Sequence, residues 1–441
     1  MVTSPAAPTT ATPSPARELP AASRLGWLDM LRGIAAMTIA VSHFVQTAMP
    51  EVFGPVFRHF DAPSFGVFLF FLVSGYIVPA SLERRGNVRD FWISRFFRIY
   101  PLCAVVVVVG AVLFGLGIYT AALPQVLPFP AAHPAVATLS SLTMLHDFQG
   151  VGPVLFVMWT LSYEMAFYLL VAALFVFGVH RRSAEIALLL AVLSATVFGM
   201  PVLLFAHSVH QITVTVAVSA LLMAVGLAAL ISRRRPAALA GAVLLTGLVL
   251  VLVFTNSRQP FWYSMAVLAT MFLGTALYRA EHGQISRLKA GLAFFVVATA
   301  LLLSGTWLGQ RSQHLINWPW LTAMLATWGL FALGLALRHR RIIRPLTWLG
   351  EISYSVYLVH AVILTVLLWL IGASTVSRMS MASRFGLGVL FCCIVVAVSH
   401  VTFRLIEQPA QRLGRRLSKR LGSRTGAAPL PVGQPVPSPA D

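Results

Sequence analysis

Ile99-Tyr-Pro-Leu-Cys-Ala-Val-Val-Val-Val-Val-Gly-Ala-Val-Leu-Phe-Gly-Leu-Gly-Ile-Tyr119 follows directly on Arg95-Phe-Phe-Arg98. The run holds no charged residue. At 1.5 Å per residue it is long enough to cross about 30 Å of hydrocarbon as a single helix. It reads as a membrane span whose first turn carries two arginines at the water boundary.

Similar runs recur along almost the whole chain, at roughly 27–47, 63–82, 155–178, 184–205, 212–231, 237–255, 261–279, 290–309, 319–337, 352–371 and 385–406. The pair joined by the short basic turn at Arg233–Arg235 is the least secure. Composition agrees, with 58% hydrophobic and 10% charged residues. A soluble domain carries about 25% charged residues, so this chain could not cover a water-facing surface. The predicted fold is all-α, a polytopic transmembrane bundle of about twelve spans (roughly 10–12), with both termini cytoplasmic. Residues 1–24 read as a disordered cytoplasmic tail, 25–409 as the transmembrane domain, and 410–441 as a basic, then Pro- and Ala-rich, cytoplasmic tail. The first run contains Arg32 and His43 and lacks a small-x-small cleavage site, so it is a span and not a signal peptide.

The net charge of +19 would suggest nucleic acid in a soluble protein, but the basic residues cluster between apolar runs. They are topology signals, and no nucleic-acid partner is expected. With the N-terminus inside, only Arg58, Arg258, Arg311, Arg378 and Arg384 of the 32 basic residues fall in outer segments. The chain is expected to be a multi-pass protein of the cell (plasma or inner) membrane, with the lipid bilayer as its surroundings. The long outer connection 120–154, with His133, His146 and Asp147, reads either as a binding mouth or as a solvated connector. The loop near 48–62 has the same two readings.

Cys103, Cys392 and Cys393 all lie inside apolar runs and form neither a metal spacing nor a disulfide framework. No Walker loop, H-E-x-x-H, dinucleotide fingerprint or G-x-S-x-G elbow occurs. What remains is a small set of polar groups inside spans, where a charge is a functional candidate by default. Arg32 and His43 are eleven residues apart, close to three turns, so they share one face of the first helix at about 16 Å axial separation. This arrangement suits a long substrate lying along the helix; a structural histidine is the competing reading. Arg95 and Arg98 are three apart and point to nearly one side, suited either to phosphate oxygens or to simple anchoring. Glu164 needs a partner or a proton at its depth, either an arginine or a histidine. Ser353, Tyr354, Tyr357 and His360 form a polar stripe that reads best as a hydrogen-bonded seam facing the bundle interior. Pro409 after Glu407 reads as the stop of the last span, and Glu407 as a partner for nearby arginines.

Six segments together resemble the membrane-bound acyltransferase 3 family. They are Leu28-Asp29-Met30-Leu31-Arg32-Gly33 with His43, Gly66 through Ser74-Gly75-Tyr76, Arg95-Phe96-Phe97-Arg98, Trp159-Thr160-Leu161-Ser162-Tyr163-Glu164 with Phe167-Tyr168-Leu169, Leu349-Gly350-Glu351-Ile352-Ser353-Tyr354 through His360, and Glu407-Gln408-Pro409. Each is weak alone; their order from 28 to 409 is specific, while 184–337 match only in hydropathy. Phe68 stands where an acidic residue is frequent, Ser94 where an arginine is frequent, and no proline follows His360.

The resemblance implies transfer of an acyl group, acetyl or another short chain, from acyl-CoA as co-substrate to a hydroxyl. The acceptor would be a carbohydrate or a small glycosylated or polyketide molecule. It implies His43 as general base, or as a transient acyl carrier, with Glu164 as a second catalytic residue that orients His43 or the acceptor. Arg32, Arg95 and Arg98 would bind the donor. Asp29, Ser74, Trp159, Ser162, Tyr354 and His360 would support them. No permanent cofactor or metal is expected. The rival class is a secondary transporter or exporter of a glycan or small metabolite, against which stands the lack of an internal repeat.

Overall fold

The computed structural model describes residues 26–122, 133–197, 208–307 and 317–423. Every element among them is helical. The chain opens with α1 (Gly26–Ala48), a short α2 (Pro50–Phe57), and the long α3 (Ala62–Arg85) and α4 (Val88–Gly115). Then come α5 (Ile118–Ala122), α6 (Pro134–Thr143) and 3-10 turns at His146–Gln149 and Phe156–Met158, the second running into α7 (Trp159–Val176). The middle of the chain forms α8 (Ser183–Thr196), α9 (Val209–Leu230), α10 (Arg235–Asn256), α11 (Phe261–Glu281), α12 (Arg287–Trp307) and α13 (Trp318–Ala336). The last part is α14 (Arg344–Glu351), α15 (Ser353–Ile371), α16 (Ala373–Arg378), α17 (Met381–Thr402), a π-helical turn at Phe403–Glu407, and α18 (Gln408–Ser423). The tail expected at 1–24 and residues 424–441 lie outside the described residues.

Eleven helices among the described residues are long and apolar enough to cross a membrane. The chain is a multi-pass membrane protein. Both members of the insecure pair, α9 and α10, are among the eleven. The remaining expected span, 184–205, is represented by α8, whose 14 residues cover only about 21 Å; 198–207 lie outside the described residues. Yet α8 runs between the two ends of the bundle. Glu185 at its start pairs with Lys289 at the start of α12, and Ser194 near its end bonds Ser304 at the end of α12 and the Trp262 carbonyl at the start of α11.

Among the described residues, the ion pairs between loops fall into two sets. Glu83 pairs with Arg279 and Glu281 with Arg338, all in segments expected at the inner side. Glu51 pairs with Arg384, and the Arg258 amide donates to the Asp147 carbonyl, in segments expected outside. This alternation is what successive crossings require. Helix ends follow local chemistry. In Arg84-Arg85-Gly86-Asn87, Gly86 takes φ 63° to close α3, and the Asn87 side chain accepts from the Arg89 amide to open α4.

Burial separates core from periphery. In α3, 89% of the apolar window is inside the protein, against 22% in α9, which presents Val214, Val218, Leu221 and Val225 outward. Two contacts bring backbones together where a side chain would intrude. A methyl on Gly75 or Gly274 would strike the other helix of the α3–α11 pair, and one on Gly350 of α14 would strike the Asp29 backbone of α1. The quoted Leu349-Gly350-Glu351 segment is thus seated on Leu28-Asp29-Met30.

Two expectations need correction. Pro409 does not stop the last helix. The chain passes through it into α18, because the preceding π turn shifts the hydrogen-bond register where the proline nitrogen has no hydrogen to give. The connection 120–154 is not a solvated connector in its second half. His146, Asp147, Phe148 and Gln149 are all buried, and 123–132 lie outside the described residues.

Candidate active site

Helix α1 carries the candidate residues Arg32 and His43, polar groups at two depths of one face. At the deeper end toward Gly26, Arg32 sits with its guanidinium carbon 5.5 Å from the Phe70 ring centroid of α3. It interacts electrostatically with Arg98, Asp29, Glu164 and Tyr168. Arg95 on α4 is buried between the rings of Phe91 and Tyr168, at 5.4 and 5.3 Å. Such stacking satisfies a cation with π faces, worth about 1–2 kcal/mol when water is excluded. Glu164 accepts a hydrogen bond from the Tyr168 hydroxyl one turn on. Glu407 accepts from Ser355 and interacts with Arg98 and Arg32. The first and third spans therefore bring Arg32, Arg95 and Arg98 into one cluster, balanced by Glu164, Glu407 and Asp29. Two donors in it, Arg32 Nε and Arg95 Nε, are buried with no hydrogen-bond partner among the described residues.

Eleven residues on, His43 is half-buried and faces a second group. Its ring stacks on His360 of α15 at 5.6 Å between centroids and 11° between planes. Phe156 meets the His43 ring edge-on at 4.7 Å. His360 is fully buried, and its Nδ1 lies 3.0 Å from the Val356 carbonyl. A carbonyl only accepts, so Nδ1 carries the proton and leaves Nε2 as a lone pair, without a partner among the described residues. Among the described residues no carboxylate touches His43; its side-chain hydrogen-bond partner is Gln46. Of the two partners open to Glu164, a histidine or an arginine, the structure sets it among the arginines.

Of the four residues of the expected seam on α15, the two tyrosines bond to neighbouring elements, while Ser353 Oγ has no partner among the described residues and His360 bonds within its own helix. The Tyr357 hydroxyl lies 2.7 Å from Thr160 Oγ1 and donates to the Val157 carbonyl at 2.6 Å, and the Tyr354 hydroxyl donates to the Ile99 carbonyl at 2.9 Å. Tyr354 thus ties α15 to the turn after Arg98. Ser74 is buried in α3. Trp159 packs edge-on against Phe71 and Tyr163. Ser162 accepts from the Asp147 amide at 3.2 Å, which anchors the buried 3-10 turn to α7.

That turn forms a separate polar group beside the first turn of α7. Burial pushes the Asp147 carboxyl up to about 7, against the pull of the Arg258 guanidinium. Burial, with Arg258 beside it, pushes His146 down to about 3. Asn256 donates to the Phe148 carbonyl at 2.9 Å, and Gln149 bridges Ser140 and Ser219 at 2.6 Å each.

Sequence reasoning gave no role to Tyr168 or Phe156. Tyr168 stands four residues after Glu164, the spacing at which two side chains meet on a helix, so its pairing was open to inference. Phe156 precedes α7 and reaches His43 only through the tertiary fold.

A family model described as an acyltransferase domain matches residues 25–218 and 213–404, from the residue before α1 into the π-helical turn. The chain belongs to the acyltransferase 3 family. The family match includes both ends of the α1 face and stops short of Glu407 and α18. The chain is 30% identical to "Acyltransferase MdmB" of Streptomyces mycarofaciens over 34% of this chain and 39% of that one. It is 33% identical to an "O-acetyl transferase" of Shigella phage Sf6 over 20% of this chain and 26% of that one. The aligned parts thus span well under half of either relative. No solved structure matches the chain significantly.

Proposed function

We propose that this protein is an O-acyltransferase of the cell membrane. It takes a short acyl group from acyl-CoA and passes it to a hydroxyl of a carbohydrate or of a small glycosylated or polyketide acceptor. The observation that carries the reading is the face of α1 itself. Arg32 lies in a cluster of three arginines at one depth and His43 lies against His360 at another. An extended donor fits that axis, with its phosphates on Arg95 and Arg98, its arm along Arg32 and its thioester toward His43. The unpartnered N–H groups of Arg32 and Arg95 suit oxygen acceptors of such a donor.

In the proposed step His43 takes the proton of the acceptor hydroxyl as that oxygen attacks the thioester carbonyl. The C–S bond breaks, the ester forms, and the CoA thiolate takes the proton from the imidazolium. Glu164, bound by Tyr168 among the arginines, sets the position of the donor-binding side chains and does not act on His43. The printed names of the two relatives, an acyltransferase and an O-acetyl transferase, support this class of reaction.

The test is purified protein in detergent with labelled acetyl-CoA and candidate glycan or macrolide-like acceptors. Labelled acceptor and acceptor-dependent CoA release are expected, with both lost in His43→Ala. A well-folded His43→Ala that transfers at the parent rate would sink the assignment.

A further inference from the structure

The helix of the last span continues past its π turn. Helix α18 follows the π turn, and its 16 residues carry Arg412, Arg415, Arg416, Lys419 and Arg420 with no acidic residue. Arg412, Arg415, Arg416 and Lys419 are exposed, and the salt bridges among the described residues involve none of them.

Three faces of α18 can be separated. Gly414 is buried against the Phe97 ring of α4, so close that a methyl there would fall 2.8 Å from Phe97 Cβ. Gln411 and Ser418 flank this seam and are half-covered. The second face is apolar. Leu405, Leu413 and Leu417 are 71%, 55% and 36% exposed, and they continue the exposed ridge of Val398 and Val401 on α17. The third face is the row of cations.

Depth follows from the seam. Phe97 adjoins Arg98, which interacts with Arg32 inside the first span. By touching Phe97, Gly414 keeps α18 at the edge of the bundle, where a span meets the headgroup layer, instead of standing clear of it. A soluble anion would match the cations and leave the leucine ridge in water. A lipid leaflet covers both, with acyl chains on the ridge and phosphates on the cations.

We propose that α18 is an interfacial helix that binds anionic phospholipid headgroups through Arg412, Arg415, Arg416 and Lys419, with Leu405, Leu413 and Leu417 at the acyl boundary. This does not depend on the acyl-transfer reading.

The experiment uses the full-length protein in micelles doped with phosphatidylglycerol or phosphatidylcholine, with retained lipids counted by native mass spectrometry. Phosphatidylglycerol should be retained in preference, and added salt should reduce that preference. R412Q/R415Q/R416Q/K419Q should weaken phosphatidylglycerol retention at least about ten-fold, since each cation near an anionic surface contributes a factor of several. The control R233Q/R234Q/R235Q, in the basic turn between α9 and α10 and without an adjoining leucine ridge, should weaken it less than the α18 variant does. If the quadruple variant does not purify, R412Q/K419Q is read in the same way with a smaller loss. Equal retention of the two lipids by the parent, or parental retention by the α18 variants, would overturn the proposal. So would variants that keep phosphatidylglycerol but lose acetyl-CoA in calorimetry, since α18 would then serve the soluble donor's phosphates.

Discussion

His146 and Asp147 are adjacent, fully buried and shifted in opposite directions, so their contributions to the pH dependence of stability should cancel until one is removed. Asp147 moves from 3.8 in the unfolded chain to about 7 in the folded one. Between those values the folded state holds a proton that the unfolded state has released. Its stabilising contribution is therefore complete below 3.8 and is lost as pH rises toward 7. His146 moves from 6.5 down to about 3. Its unfolded form takes up a proton that the folded form refuses, so its contribution is complete above 6.5 and is lost as pH falls toward 3. Each group alone would give a slope of about 1.4 kcal/mol per pH unit. From about pH 4 to 6.5 the two slopes oppose and the pair is nearly silent.

Asp147→Asn should leave the histidine slope, with stability rising by about 3 kcal/mol over two pH units relative to the parent. His146→Gln should leave the aspartate slope, a fall of similar size over the same interval. Losing the carboxylate also leaves Arg258 unopposed beside His146, which acts in the same direction as the first slope. The assay is thermal unfolding in detergent at pH 4.5, 5.5 and 6.5, with each variant compared with the parent at the same pH. A constant offset reports packing or hydrogen bonding; only the slope reports titration. If both variants run parallel to the parent, the buried turn is hydrated and the reasoning from burial fails.

Gly350→Val places a side chain against the Asp29 backbone and should cost about 1–3 kcal/mol, read as a lower melting temperature, with acetyl-CoA binding weakened through Arg32 on the same helix. Tyr168→Phe removes the hydroxyl that donates to Glu164 but keeps the ring over Arg95. It should cost about 1.5–3 kcal/mol of stability, and Tyr168→Leu more, in the same thermal assay. With an acceptor in hand, Arg32→Gln should raise the acetyl-CoA KM more than it lowers kcat, whereas His43→Ala should lower kcat by about 10²–10⁴. Steady-state kinetics separates these two outcomes. Deleting α18 after Pro409 should leave insertion intact and lower melting temperature through loss of the Gly414–Phe97 contact, seen in a detergent melt.

The spans, their alternation and the two-depth face of α1 were open to reading in the chain because each rests on local facts. A helix needs only its own apolar length to cross lipid, and two residues eleven apart share a face whatever surrounds them. Other features depend on which helix stands next to which. Glu164 is companion to Tyr168 and the arginines, not to His43, because α7 meets α4 at that depth. His360 reaches His43 because α15 packs on α1, and Phe156 joins them from a turn with no periodic signal. Pro409 reads as a stop in one dimension, but the π turn before it absorbs the missing donor and the helix continues along α4. Sequence by itself determined that the chain is a bundle of membrane helices with arginines at one depth and a histidine at another. Tertiary structure alone decided the partners of each, since the partner of a buried charge is set by contacts across the bundle that no local pattern encodes.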